Sequence, residues 1–192
     1  MFTALLDTCV LWPSLQRDFL LSLAAEGMYR PAWSSAILAE LEFHEARKLV
    51  RRHVDRIEAA SRAAHLVEQM GRAFNDAEIQ GWESLEGTYG LPDPDDEHVL
   101  AAAVLARAGV IVTHNLKDFP SDVLPSDLRL LRPAEFALDT VTLDPQLALR
   151  AVTEIAQRSG RRGRRRSVVE ILMSLEARYG LGDAVALMRS AE

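Results

Sequence analysis

The stretch DPDDEHVLAAAVLARAGVIVTHNLKDFP, residues 93–120, carries the strongest structural signals in the chain. Asp95 or Asp96 can cap a helix running through Val99, Leu100, Ala103 and Leu105, and Gly109 is placed to end it. Val110-Ile111-Val112-Thr113 follows at once and reads as a buried strand. A turn through Lys117, Asp118, Phe119 and Pro120 lies beyond it. A helix that feeds directly into a buried strand is half of a βαβ unit, the building block of a parallel sheet covered by helices.

Upstream, Phe2–Leu6 is a second apolar run, ending at Asp7. Pro13 and Ser14 open a helical pattern with Leu15, Phe19 and Leu23, and Gly27 stops it. Met28–Trp33 reads as a short strand weakened by Pro31, and Ser34 or Ser35 caps the next helix, through Ile37, Leu38, Glu40 and Leu41. From Arg47 to Arg72 the pattern stays helical, which predicts Leu49, Val50, Val54, Ile57, Leu66, Val67 and Met70 as the inward set. Gly81, Gly87, Gly90 and Pro92 mark a loop. Downstream, Leu128–Leu131 is a last strand and Pro133 begins a helix. This alternation predicts an α/β domain over residues 1–138, with a central parallel sheet and helices on both faces. Residues 139–192 carry helical signals only: Asp144-Pro145 starts one helix, Arg158–Ser167 interrupts, and Val168–Arg178 continues. They are expected to form a helical C-terminal extension.

Composition narrows the class of function. With 48% hydrophobic and 26% charged residues, the chain has the balance of a soluble globular protein. No window approaches the ~18 apolar residues of a membrane span. Met1–Asp7 lacks the basic start of a secretory signal, so the expected compartment is the cytoplasm. Cys9 stands alone, which excludes an internal disulfide and a cysteine-rich zinc site. A net charge of −6 excludes nucleic-acid binding over the whole surface.

Four acids fall where a parallel sheet places its ligand crevice, outside the carboxyl ends of its strands. Asp7 ends the first strand, Asp118 (with Asn115) lies just past Val110–Thr113, Asp96 heads the helix feeding that strand, and Glu40 sits one turn inside its helix. Each has an ordinary role open to it: a strand-end turn for Asp7, a cap for Asp96, an exposed helix position for Glu40, a turn brace for Asp118. Asp93 and Asp95 compete with Asp96 for its place. Jointly, carboxylates pressed together repel one another unless a cation offsets them. Oxygen-only ligands select Mg²⁺ or Mn²⁺. The five histidines show no zinc-protease spacing, and His98 and His114, though near the acids, are expected at the surface. Cys9 reads as a buried structural thiol, and Trp12, Trp33 and Trp82 as core or interface anchors.

Asp7-Thr8 after an apolar strand, Glu40 in Ile37-Leu38-Ala39-Glu40, Asp96 before Val99–Ala103, and Val112-Thr113-His114-Asn115-Leu116-Lys117-Asp118-Phe119 together resemble a PIN domain. The resemblance spans roughly residues 2–136 and is nearest in appearance to VapC-type toxins of bacterial toxin–antitoxin pairs. It implies a three-layer α/β/α fold and an Mg²⁺- or Mn²⁺-dependent ribonuclease, with an RNA substrate, an antitoxin partner and a homodimer. On that resemblance Asp7, Asp96 and Asp118 hold the metal, and Glu40 ligates it or orients a water. Thr8, Thr113 and Asn115 support the carboxylates. Lys48, Arg52 and Arg56, spaced i, i+4 and i+8, form a basic helix face, open to three roles: a solvated surface, a track for RNA phosphates, or a surface that an acidic antitoxin segment covers. The Arg158–Arg166 run, with Gly160 and Gly163, is expected to be a mobile basic segment.

Many PIN domains place an acid two residues after the last strand's threonine, where this chain has Asn115. Asn115 brings a carbonyl oxygen but no charge. That departure keeps a second expectation open, a catalytically impaired PIN module that binds RNA or protein. A phosphatase of the haloacid dehalogenase type is disfavoured, because Cys9 occupies the position of its second acid.

Overall fold

The computed structural model describes residues 2–160 and 164–191. Arg161, Arg162 and Gly163, part of the arginine run expected to be mobile, lie outside the described residues. The chain forms two compact units, one of Phe2–Trp12 with Pro31–Leu130, the other of Pro13–Arg30 with the chain from Leu131 onward.

The first unit carries a parallel five-stranded sheet. Its strands are β1 (Thr3–Leu6), β2 (Arg30–Ser34), β3 (Glu78–Ile79), β4 (Val110–Val112) and β5 (Arg129–Leu131), in spatial order β3-β2-β1-β4-β5. Ala4, Leu5, Leu6, Ile111 and Val112 are fully buried, as unbroken apolar runs in a sheet covered on both faces must be. The β1–β4 register pairs Ala4 with Val110, Leu5 with Ile111 and Leu6 with Val112.

The helices of this unit are α1 (Thr8–Leu11), α3 (Ser35–Arg51), α4 (Arg56–Ala73) and α5 (Glu97–Leu105), with α2 (Ser14–Ala25) between the first two in the chain. The path from β2 to β3 moves outward along the sheet, and the path from β3 to β4 returns across β1. Right-handed crossovers therefore set α3 and α4 on one face and α5 on the other. The strand order reverses between β1 and β4, the switch point where open α/β sheets bind ligands.

Ser34 starts α3 by accepting the Ile37 N–H at 3.1 Å. The continuous helix expected from Arg47 to Arg72 is in fact broken. Helix α3 ends at Arg51, His53 adopts φ 65°, and Asp55 caps α4 by accepting the amides of Ile57 and Glu58. The break carries no glycine or proline, and an aspartate that competes locally for backbone N–H groups is what restarts the helix. It also rotates the buried face: Ile57 is 83% exposed and Val50 is exposed, while Ala59, Ala63 and Met70 are buried. Lys48, Arg52 and Arg56 accordingly do not share one continuous helix face, because Arg56 opens α4. Strand β3 went unread because two residues leave no periodic signal.

A 3₁₀ turn, Pro94–Asp96, leads into α5, whose Val99, Leu100, Ala101, Ala102 and Ala103 are all buried. Glu97, also buried, accepts the Leu91 amide at 2.9 Å and the Tyr89 amide at 3.1 Å. These bonds pin the glycine-containing loop in front of Asp96.

The second unit is helical: α2 with α6 (Pro133–Leu143), α7 (Pro145–Arg158), α8 (Val168–Tyr179) and α9 (Gly182–Ser190). Tyr29 packs edge-on against Phe136 at 4.9 Å, and its hydroxyl donates to the Leu20 carbonyl at 2.9 Å. Asp144 caps α7, and Ser167 with Glu170 forms a capping box on α8. Among the described residues, no helix is long and apolar enough to cross a membrane.

Burial pushes the Glu97 carboxyl up, but the amides of Leu91 and Tyr89 outweigh it and hold the group below its usual 4.5. Its stabilisation is therefore present above 4.5 and fades as pH falls below it. Glu97→Gln is expected to lower unfolding free energy by about 2 kcal/mol at neutral pH. In urea titrations the gap to the unmodified protein should narrow steadily at acid pH.

Candidate active site

At the switch point β1 and β4 end side by side. The Asp7 amide donates to the Val112 carbonyl at 3.1 Å, so Asp7 and Thr113 leave the sheet together. The Thr113 hydroxyl donates to Oδ2 of Asp7 at 2.6 Å and accepts the Asn115 amide at 3.0 Å. The Cys9 thiol donates to the same Asp7 oxygen at 3.1 Å, and its sulfur accepts the His114 amide at 3.3 Å. Oδ1 of Asp7 takes no hydrogen bond from the described residues, and Asp7 does not cap α1 although it stands at its N-cap. Burial, then the charge of Asp7, pushes the Cys9 thiol up to about 12. It is a protonated donor at neutral pH, not a nucleophile.

Glu40 is held at both oxygens. The Thr8 hydroxyl donates to Oε2 at 2.6 Å, and His98 Nε2 lies 3.2 Å from Oε1. On the other side of the imidazole, Nδ1 is 3.2 Å from Ser34 Oγ. The Glu40 carboxylate can only accept, so Nε2–H donates to it, while Ser34 Oγ, which also accepts the Ile37 amide, faces Nδ1. Burial raises the Glu40 carboxyl, yet the bonds from His98 and Thr8 and the charges of His98 and His44 prevail and lower it. His98 was expected at the surface. It is instead buried, with the Trp82 ring edge-on at 5.8 Å and the Trp82 indole N–H donating to Ser35. A single histidine has no spacing to betray such a partner; only the α3–α5 juxtaposition reveals it.

Asp96 stands at the N-cap of α5, but its side chain makes no capping bond. Asp93 performs the nearby cap, accepting the Asp95 amide at 3.0 Å, and both Asp93 and Asp95 are exposed. Half-buried Asp96 is left with its carboxyl unspent. Burial, then the charges of Asp7, Asp118 and Asp93, lift it to about 6. The Asp118 carboxyl, on a 3₁₀ turn over Leu116–Asp118, thus shares the same field.

The charges of Asp7 and Asp118 both reach Asp96, and Glu40 is tied to Thr8, the residue that follows Asp7. The structure leaves the Asn115 side chain at an exposed position. Lys48 pairs with Glu45, while Arg52 and Arg56 are exposed. Among the described residues, no three His, Cys, Asp or Glu side chains stand as a preformed metal cluster. In donor chemistry, however, the site fits a hard divalent ion. Its donors are carboxylate oxygens, one of them unspent on capping, and the raised Asp96 carboxyl registers a negative field that a cation offsets. Trp12, expected as a core or interface anchor, is 39% exposed, whereas Trp33 and Trp82 are buried.

A family model described as PIN domain matches residues 3–117. Over 49 residues the chain is 57% identical to "Putative ribonuclease VapC50" of Mycobacterium tuberculosis. That match covers 25% of this chain and 29% of the relative, so it spans less than a third of either protein. No solved structure gives a significant match.

Because Asp96 protonates near 6 in the folded chain, above its usual 3.8, its ionisation costs stability as pH rises through that window. In divalent-free buffer at neutral pH, Asp96→Asn is expected to stabilise the fold, by about 1 kcal/mol after solvent screening. Thermal unfolding should show the gain disappearing below pH 3.8.

Proposed function

This chain belongs to the PIN domain family, and on that premise we propose that it hydrolyses RNA phosphodiester bonds with a bound Mg²⁺ or Mn²⁺, as the toxin of a toxin–antitoxin pair. The observation that carries the reading is the shared field of Asp7, Asp96 and Asp118 at the switch point, centred on an Asp96 carboxyl unspent on capping. The ribonuclease name of the Mycobacterium tuberculosis relative supports the same reaction class. An antitoxin partner and a homodimer belong to this reading.

Asp7, Asp96 and Asp118 would hold the ion, which when bound supplies Lewis acidity toward water and the phosphoryl oxygens. Thr113 and Cys9, both on Oδ2 of Asp7, fix that carboxylate's rotamer and leave Oδ1 to the ligand. Glu40 orients the attacking water and accepts its proton at a carboxylate that Thr8 and His98 hold still. His98 is a positioning residue, acting through Glu40 alone. Arg52 and Arg56, exposed at the end of α3 and the start of α4, are assigned to RNA phosphates together with Lys48.

Two observations favour the second reading, a PIN module without turnover. Asn115 replaces an acid, and the carboxylates are not gathered into a three-ligand cluster among the described residues. Asp7→Asn is expected to reduce Mg²⁺- or Mn²⁺-dependent RNA cleavage by about 10³-fold with an unaltered circular dichroism spectrum. Chelation should do the same. Divalent-ion binding by the unmodified protein without any turnover would select the second reading instead.

His98→Ala is expected to lower kcat about tenfold with KM unchanged. His98→Gln, whose amide can still donate to Glu40, should recover most of the loss. Equal loss in both variants would reduce His98 to a packing role.

A further inference from the structure

Beside the acids lies a surface that the hydrolytic chemistry does not use. Trp12, at the end of α1, is 39% exposed, and Phe43, on α3, is 58% exposed. His44 bridges them edge-on, with ring centroids 6.3 Å from Trp12 and 5.5 Å from Phe43. The Arg47 guanidinium sits 5.3 Å over the Phe43 ring, and Lys48 Nζ, which also pairs with Glu45, lies 5.9 Å from the Trp12 ring. Three rings and two cations thus form one contiguous strip in a chain of net charge −6.

The strip is continuous with the candidate active site through both of its elements. Helix α1 begins directly after Asp7, and its end carries Trp12. On α3, Phe43, His44 and Arg47 follow Glu40 at i+3, i+4 and i+7, neighbouring positions one and two turns along the same face, at about 5.4 Å per turn. The charge of His44 reaches Glu40.

We propose that this strip is a stacking platform for unpaired nucleobases flanking the scissile phosphate, with Trp12 and Phe43 as the two ring faces and Arg47 and Lys48 beside them for the backbone. The inference rests on the ribonuclease reading above and adds a binding subsite to it. A strand whose phosphate lies at Asp7 and Glu40 reaches these rings by continuing one to two turns along α3. Exposed aromatic side chains interleaved with cations are what base stacking with backbone neutralisation requires. A base-paired strand keeps its bases in the duplex stack and gains nothing from such a platform.

The test uses the full chain in chelator, so that RNA binds without being cut. Two fluorescent probes of equal length and charge are titrated, an unstructured oligoadenylate and its abasic counterpart. Trp12→Ala and Phe43→Ala are each expected to weaken oligoadenylate binding about tenfold and to leave abasic binding unchanged. Phe43→Trp should retain affinity, and Arg47→Ala should weaken both probes and flatten the salt dependence by about one unit. An unaltered circular dichroism spectrum and a cooperative thermal transition establish that the variants fold, with a lowered midpoint expected for Trp12→Ala because most of that ring is buried. Unchanged oligoadenylate affinity in the Trp12→Ala Phe43→Ala double variant would overturn the platform and leave the strip to a protein partner. Equal loss on both probes would overturn base stacking. If the unmodified protein neither binds nor cleaves RNA, the ribonuclease reading itself falls, an outcome distinct from either of these.

Discussion

The amide of Asp7 donates to the carbonyl of Val112, one step beyond a register that pairs Leu6 with Val112 across β1 and β4. That parallel pairing brings Asp7 into hydrogen-bond contact with Thr113, 106 positions away in the chain. Because the sheet's strand order reverses between these two strands, their crossovers lie on opposite faces and leave a crevice beyond the strand ends. A slip of one residue in the pairing would turn every side chain of β1 to the other face. The position of Asp7, and of the hydroxyl that fixes it, follows from this one ladder.

Around that ladder the molecule sets a favourable core against an unfavourable electrostatic cluster. Helix α5 is nearly all apolar and buried from Glu97 to Ala103, yet it is headed by a carboxylate crowded by the charges of Asp7 and Asp118. Burying the strand and helix side chains contributes on the order of 1.5–3 kcal/mol for each large apolar residue. The local cost of like charges is of similar size at most, and solvent screens much of it at half-buried Asp96, so the fold tolerates the cluster. Thr8, Thr113, Cys9 and His98 act within this balance by directing hydrogen bonds to Asp7 and Glu40. They restrict the rotamers of both carboxylates. Such arrangements, locally costly and held by their surroundings, are characteristic of sites built for a ligand.

Val110–Val112 and Thr3–Leu6 were legible because strands buried on both faces are unbroken apolar runs bounded by Gly109 and Asp7. Ser34, Asp144 and the Pro133 start were legible because capping chemistry is local. The division of α3 from α4 was not, since both halves are amphipathic and the break depends on one aspartate and a single residue at positive φ. The break turns Ala59 and Ala63 inward in place of Val50 and Ile57, and it leaves Lys48, Arg52 and Arg56 without one shared helix face. Of the candidate site, the acids were visible as positions relative to strand ends. The partners of Glu40 were not, because Ser34, Glu40 and His98 have no common spacing.

The chain alone, through apolar periodicity, caps and the placement of acids at strand ends, determined the alternating α/β class, the family and the identity of the carboxylates worth asking about. Those are properties of neighbours within a few residues, where backbone and side-chain physics is local. Only the tertiary structure decided which oxygen of Asp7 is occupied, that His98 serves Glu40 rather than solvent, and that Trp12 and Phe43 share one exposed strip with cations. Each of those facts depends on side chains from separate elements meeting at hydrogen-bond or ring-contact range, and such meetings are set by strand register and helix packing, which no single stretch of sequence encodes.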